Sequence, residues 1–121
     1  MIERRHDIVS PLAAIGAVLC AASIGLAAYA AHGVSDPKAQ ASLQSACLYA
    51  FGHGIALTAL APRARQALAQ WALRLLLVGT LLFSGSIALH VLAGIVSGVA
   101  PAGGVAMILA WLLWAVSALR R

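Results

Sequence analysis

The chain has 121 residues, of which 63% are hydrophobic and only 9% are charged, and its formal net charge is +5. Soluble domains carry about 25% charged residues, so this composition excludes a water-soluble domain and leaves no room for a second one. The basic residues form no stripe with interleaved aromatic residues, which argues against nucleic-acid binding. The composition predicts a single integral membrane domain over residues 1–121.

Four long apolar segments follow one another, over residues 8–31, 43–61, 73–94 and 99–119. About 20 apolar residues in a helix span a hydrocarbon core of roughly 30 Å. The segments lack the alternation of barrel strands, and backbone groups must be paired within hydrocarbon, so each segment is predicted to be helical. Prolines near the helix starts place the helices at about 8–31, 37–61, 67–94 and 99–119.

The basic residues indicate the orientation of these helices. Cytoplasmic loops carry the excess of Lys and Arg, and one orientation leaves only Lys38 outside. We expect Arg74, which lies inside the third apolar segment, to extend back to the cytoplasmic interface. The sequence predicts an all-α membrane protein, an antiparallel bundle of four transmembrane helices with both termini cytoplasmic. The residues assigned to the cytoplasmic side are Arg4, Arg5, Arg63, Arg65, Arg74, Arg120 and Arg121.

The beginning of the chain also resembles a secretory signal. Arg4 and Arg5 precede an apolar run that ends near the small residues Ala28 and Ala30. Cleavage there would leave three spans. The run is longer than the about 7 to 15 residues of a signal core, which favours an uncleaved first helix.

Small residues recur at four-residue spacing in the first two helices, and such ridges let membrane helices approach closely. The residues predicted to pack between helices are Gly16, Ala21, Gly25, Ala50, Gly54, Gly79 and Gly85.

A possible internal repeat matches Gly16, Leu19, Ser23 and Ile24 with Gly79, Leu82, Ser86 and Ile87 at a constant offset. It would describe two helix pairs in the same orientation, although chance similarity is the favoured explanation.

His53 is the sharpest candidate for function because it lies near the middle of the second span, where a polar side chain is costly. Tyr49 precedes it by four residues, which places the phenol and the imidazole on one helix face. The pair has two interpretations. It either forms a short proton relay, or His53 is a neutral, structural histidine that bonds to Ser84 or Ser86 of the third helix. The structural interpretation is favoured.

The other candidates do not form a metal site. His32 and His90 are predicted at similar depth, whereas His53 lies about 10 Å deeper at 1.5 Å per residue. The acidic residues all lie outside the spans, so no metal or other cofactor is predicted. Cys20 and Cys47 lie within spans, where free thiols behave as small hydrophobic groups, and no disulfide is expected.

Several motifs occur in a fixed order: 31–33 (Ala-His-Gly), Tyr49 followed by His53, 79–86 with its Phe-Ser-Gly-Ser sequence, 101–104 (Pro-Ala-Gly-Gly) and Trp111. In these motifs the chain resembles domain-of-unknown-function family 423, small bacterial inner-membrane proteins of the YgdD type with a eukaryotic relative called transmembrane protein 256. The resemblance implies a four-helix protein of the bacterial inner membrane, but no established activity. Ala50 and Ala88 depart from the family pattern, and His90 has no family counterpart.

The motif residues map to the outer half of the predicted bundle. Either a polar cavity opens there, or the helices interlock there. The residues of this candidate polar, ligand or proton site are His32, Tyr49, His53, Ser84, Ser86, Pro101, Gly103 and Gly104.

Three functions compete. The leading hypothesis is a structural or accessory membrane component that contacts the bilayer and binds a membrane-protein partner or a second copy. The alternative is a transporter or channel for a small solute, an ion or a proton, built on the polar cluster. An enzyme ranks third, because the spans hold no acid to orient a histidine–serine pair.

Overall fold

The computed structural model describes residues 9–120, and this part of the chain is helical, without strands. The helices are α1 (Pro11–Gly33), α2 (Pro37–Leu60), α3 (Ala67–Ala93) and α4 (Ala100–Leu119). All four are long and apolar enough to cross a membrane. The predicted all-helical architecture, with four helices that could span a membrane, is confirmed. The N-terminal basic residues, the predicted helix start at residue 8 and Arg121 lie outside the described residues.

Local chemistry fixes where the helices begin and end. The Ser10 hydroxyl accepts a hydrogen bond from the Ala13 amide at 3.1 Å, and the Asp36 carboxylate accepts one from the Ala39 amide at 3.0 Å. In each case a proline occupies the first turn, where its missing N–H costs nothing. Helix α3 ends at Ala93 and is capped by Gly94, whose φ of 69° is the left-handed conformation that glycine adopts without strain.

Helix α1 packs along α2, α3 packs along α4, and α2 packs along α3. Contacts between α1 and α2 join the beginning of one helix to the end of the other. Thr58 donates to the carbonyl of Ala13 at 3.4 Å, and Gln40 donates to the carbonyl of Ala30 at 2.9 Å. The described chain thus contains an α1–α2 pair and an α3–α4 pair, joined through α2 and α3.

Each helix pair crosses at two glycines. A Cβ atom on Gly16 would lie 2.7 Å from the carbonyl oxygen of Gly54, and one on Gly54 would lie 2.6 Å from that of Gly16. In the second pair, a Cβ on Gly79 would lie 2.9 Å from the carbonyl oxygen of Gly103, and the reverse distance is 2.7 Å. Glycine is therefore the residue that lets each pair approach this closely. Gly16 and Gly79 are the equivalent positions of the possible internal repeat.

The packing predicted for α1 is wrong at two positions. Ala21 and Gly25 are exposed, and no atom outside the helix lies within 4 Å of a Cβ built on Gly25. The buried residues of α1 are Gly16, Ser23 and Ala30, which are seven residues apart. A four-residue step advances about 40° beyond one full turn, so the predicted ridge rotates away from α2, whereas a seven-residue step stays close to one face.

Gly85 is also not a contact point, because nothing lies within 4 Å of a Cβ built on it. Its neighbour Ser84 faces α2 and is buried. Ala50 is buried in α2. Close packing of α3 is thus confined to particular faces of the helix, and glycine content alone does not identify them.

The main apolar core lies where the 3-10 turn Ala61–Arg63 connects α2 to α3. Leu57, Leu73 and Leu76 have at most 1% of their surface exposed. The other members of this core are Ala61, Ala64, Ala69, Met107 and Ala110. The core joins α2, α3 and α4 at one end of the molecule, and the candidate site lies further along the same three helices.

Candidate functional site

His53 joins three helices through its two ring nitrogens. Nδ1 lies 2.9 Å from the hydroxyl of Thr80 on α3, and Nε2 accepts a hydrogen bond from the indole N–H of Trp111 on α4 at 3.2 Å. The imidazole is half-buried on α2. A polar group placed near the middle of an apolar helix thus has a partner on each of two neighbouring helices.

The hydrogen-bond donors assign the tautomer of His53. An indole nitrogen can only donate, so Nε2 must carry a lone pair and the ring proton must lie on Nδ1. Nδ1–H then donates to the hydroxyl of Thr80, and this hydroxyl donates to the carbonyl of Leu76 at 2.7 Å. The arrangement fits the neutral imidazole, because a second proton on Nε2 would face the N–H of Trp111.

Aromatic rings surround the imidazole. The ring centroid of Trp111 lies 5.9 Å from that of His53, and the centroid of Tyr49 lies 6.0 Å from it. Tyr49 also meets Phe83 edge to face at 5.2 Å. Tyr49 and His53, which the sequence placed on one face, therefore contact each other ring to ring, with Phe83 and Trp111 completing the cluster.

The partner of His53 on α3 is Thr80, and the predicted partners Ser84 and Ser86 have other roles. Ser84 is buried and donates to the carbonyl of Ala46 on α2 at 2.7 Å. Ser86 lies 2.8 Å from the hydroxyl of Ser97, beyond the end of α3. The prediction of Ser84 or Ser86 was wrong because the axial position of α2 against α3 is set by packing, which the sequence does not encode locally.

The remaining candidates are spread along the helices. His32 and Pro101 are exposed at helix ends. Gly103 is buried at the crossing of α3 and α4, and a Cβ on Gly104 would lie 4.0 Å from the ring of Phe83. The structure therefore brings Tyr49 and His53 together, and it places the outer candidates His32 and Pro101 on the surface.

Sequence reasoning assigned no site role to Thr80, Phe83 or Trp111. Thr80 and Phe83 lie within the family motif at residues 79–86, and Trp111 is the motif residue of the fourth span. A hydroxyl residue inside an apolar span was the available signal for Thr80, which is fully buried. Pairing it with His53 required knowledge of the helix packing.

His90 is exposed and lines a surface pocket with Asp36 and Lys38 near the turn between α1 and α2. Within residues 9–120, no group of three or more His, Cys, Asp or Glu side chains is arranged to hold a metal ion. Cys20 and Cys47 are both free thiols. The chemistry that the described site offers is that of one neutral histidine, held between the donor Trp111 and the acceptor Thr80.

Comparison with known proteins identifies the family. Residues 26–104 match the family described as "Protein of unknown function (DUF423)". The chain belongs to this family. The chain is also similar to a UPF0382 membrane protein of Schizosaccharomyces pombe, with 34% identity over 100 residues that cover 74% of this chain and 85% of the relative. No solved structure matches it. The family resemblance predicted from the motifs is confirmed.

The region that matches DUF423 contains most of the His53 cluster. Tyr49, His53, Thr80 and Phe83 fall within residues 26–104, whereas Trp111 lies beyond its end. The DUF423 match therefore includes the contact between α2 and α3, and the α4 side of the cluster lies outside it.

Proposed function

We propose that this protein is a structural or accessory component of the bacterial inner membrane without catalytic activity. The observation that carries the proposal is the use of both ring nitrogens of His53 to tie α2 to α3 and α4. A histidine that conducts protons needs a nitrogen free to exchange them, whereas this ring acts as a clamp between helices. The polar centre of the molecule thus serves the assembly of the helices.

The other polar side chains within the spans support the same function. Ser84 donates to the carbonyl of Ala46 across the contact between α2 and α3, and Ser23 donates to the carbonyl of Leu19 within α1. Among the described residues, no buried side-chain nitrogen or oxygen lacks a hydrogen-bond partner. A hydrogen bond between helices, such as that of Ser84, stabilises their contact in a membrane.

We propose an antiparallel arrangement with both termini in the cytoplasm. Its support is the start-to-end contact of α1 with α2 and the distribution of charge. Arg63 and Arg65 follow α2, and Lys38 lies near the opposite end of that helix. Arg74 lies with its guanidinium 5.0 Å from the ring centroid of Trp71, one turn nearer the beginning of α3, as expected for a side chain that extends toward the interface.

The proposed partners are the lipid bilayer and either another membrane protein or a second copy. Large apolar side chains are exposed along all four helices, among them Val18, Leu48, Val78 and Ile108. Such surfaces suit lipid and neighbouring helices equally. The relative in Schizosaccharomyces pombe is named a membrane protein, which accords with this environment.

Proton flux in reconstituted vesicles tests this function against the transport alternative. Purified protein is placed in liposomes that contain a pH-sensitive dye, and dye response after an external pH jump is compared with that of empty liposomes. We expect the wild-type protein and a His53→Ala variant to give the same slow response as empty liposomes. Helix content measured by circular dichroism serves as the folding control.

Rapid proton entry with the wild-type protein, lost in a His53→Ala variant of unchanged helix content, would overturn the structural function in favour of transport. The control variant is Thr58→Ala. The hydroxyl of Thr58 bonds to the carbonyls of Gly54 in its own helix and of Ala13 on α1, away from the His53 cluster. Loss of flux in both variants would indicate damaged folding in place of a damaged pathway, and this result would also contradict the proposal because the wild type conducts.

A further inference from the structure

A narrow apolar groove runs between α1 and α3. Both helices pack against α2 and leave a cleft of about 120 Å³ above it. Small side chains form much of its lining: Ala22 from α1, Ala46 and Ala50 from α2, and Gly85 and Ala88 from α3. From Thr80 to Ala88 the groove follows α3 for about 12 Å, toward the end of the molecule that carries the turn between α1 and α2.

The groove is too narrow for a helix. Its deepest side chains remain almost inaccessible, with 3% of Ser23, 2% of Ala46 and none of Thr80 exposed. A helix with its side chains is about 10 Å wide and would need walls set far enough apart to expose these residues. The groove, of about 120 Å³, therefore has room for an occupant of the width of a single hydrocarbon chain, which lies over these residues.

The hydroxyl groups that line the groove all form hydrogen bonds within the protein. The hydroxyl of Ser23 donates to the carbonyl of Leu19 at 2.6 Å, that of Thr80 to the carbonyl of Leu76 at 2.7 Å, and that of Ser84 to Ala46. Water is stable in a cavity only where it finds several polar partners, so the groove favours an apolar occupant. Within a bilayer the available apolar molecule of this width is the lipid chain.

Gly85 explains why the groove stays open. No atom outside its own helix turn lies within 4 Å of a Cβ built on Gly85, in contrast to the crossing glycines Gly16 and Gly79. Its lack of a side chain therefore leaves space in the wall of the groove without bringing two helices together. Interiors are packed to high density, so a gap of this kind forfeits dispersion contacts unless another molecule fills it.

We propose that this groove binds one acyl chain of a bilayer phospholipid. The chain enters from the leaflet that faces the turn between α1 and α2 and lies against α2, with Gly85 and Ala88 on one side and Ala22 on the other. Van der Waals contact with both walls holds it, and its headgroup remains at the membrane surface. The inference rests on the groove alone and is independent of the proposed accessory function.

Matched glycine variants test the proposal. Gly85→Leu places a branched side chain in the groove, where a Cβ meets no atom, whereas Gly25→Leu adds the same side chain on the exposed face of α1. The protein is purified in detergent after extraction from membranes, and retained phospholipid is measured by native mass spectrometry. We expect one phospholipid on the wild-type protein and on Gly25→Leu, and its loss from Gly85→Leu.

A second variant and a direct probe keep the test independent of folding. Ala88→Leu fills the same groove from a different turn of α3 and should also lose the lipid. In wild-type protein reconstituted with phosphatidylcholine that carries a photoreactive group in its acyl chain, we expect cross-links to Leu81 and Leu26, which line the groove. Helix content of every variant is checked by circular dichroism.

Four results would overturn the inference. Equal lipid retention by wild type, Gly85→Leu and Gly25→Leu would show that the lipid binds outside the groove. If the wild-type protein neither retains nor cross-links lipid, the groove does not bind an acyl chain. A wild-type dimer that Gly85→Leu converts to a monomer would identify a second copy of the chain as the occupant. Loss of lipid from both Gly85→Leu and Gly25→Leu would also contradict a site confined to this groove.

Discussion

At the scale of single residues, His53 shows how one polar side chain organises an apolar protein. Its neutral tautomer is set by the donor Trp111 on one side and by the hydroxyl of Thr80 on the other. Each bond crosses between helices, because the three residues belong to α2, α3 and α4. Removing either partner would leave a ring nitrogen unpaired in an apolar surrounding, which costs more than the bond itself contributes.

Thr80→Val tests this clamp with little change in shape. The substitution removes the acceptor of the Nδ1–H bond and should lower the free energy of unfolding by about 1 kcal/mol, in the range measured for hydrogen bonds between membrane helices. The free energy of unfolding is measured in mixed micelles that contain an increasing fraction of sodium dodecyl sulfate.

The matched control for the clamp is Thr58→Val. Thr58 is exposed, its hydroxyl donates to Gly54 in its own helix at 2.8 Å, and its contact with the carbonyl of Ala13 on α1 is longer, at 3.4 Å, and does not involve His53. We expect this control to change the free energy of unfolding much less than Thr80→Val does. If the two substitutions lower the free energy of unfolding equally, the bond of Thr80 to His53 has no special role in stability.

At the scale of helices, the two crossings are built from glycines whose backbones touch. A Cβ on Gly103 would lie 2.5 Å from the amide nitrogen of Phe83, which is backbone and cannot rotate away. The helices must therefore separate to accept any side chain there. Gly25 and Gly52, by contrast, have open space at the same position.

Gly103→Ala should destabilise the protein by about 1 to 3 kcal/mol, the usual cost of overpacking. Gly52→Ala should be neutral or stabilising by up to about 1 kcal/mol, because alanine favours the helix and meets no neighbour. The free energy of unfolding, measured in the same mixed micelles, distinguishes the Gly103→Ala and Gly52→Ala variants. A Gly103→Ala variant as stable as Gly52→Ala would show that the close crossing is not maintained in the membrane.

At the scale of the whole molecule, two helix pairs share one interface between α2 and α3. The main apolar core lies near the turn between α2 and α3, whereas the groove between α1 and α3 opens toward the turn between α1 and α2. One end of the molecule is therefore closed by side-chain packing, and the other retains space between α1 and α3.

Cysteine labelling tests the proposed orientation in the membrane. Ser35→Cys lies in the turn between α1 and α2, and Ala67→Cys lies at the start of α3, and both positions are exposed. In intact bacterial cells, a membrane-impermeant maleimide should label Ser35→Cys and leave Ala67→Cys unlabelled until the cells are opened. The wild-type chain, whose two cysteines lie within spans, reports the background. The reverse pattern would place both termini outside.

The sequence by itself determined the number and approximate limits of the helices. Hydropathy over about 20 residues, prolines in first turns and side chains that cap helix ends act locally, so they are readable without a structure. The predicted contact of Tyr49 with His53 belongs to the same class, since both lie on one helix. The family was also recognisable, because its motifs are short and ordered.

Only the tertiary structure decided which residues meet across helices. His53 is 27 residues from Thr80 and 58 from Trp111, and the axial position and rotation of α2 against α3 and α4 set both contacts. The rotation of α1 against α2 likewise decides that Gly16 lies at a crossing while Gly25 does not. Apolar helices have chemically similar faces all round, so the sequence carries little information about rotation, and the fit of small side chains against a neighbouring backbone fixes it.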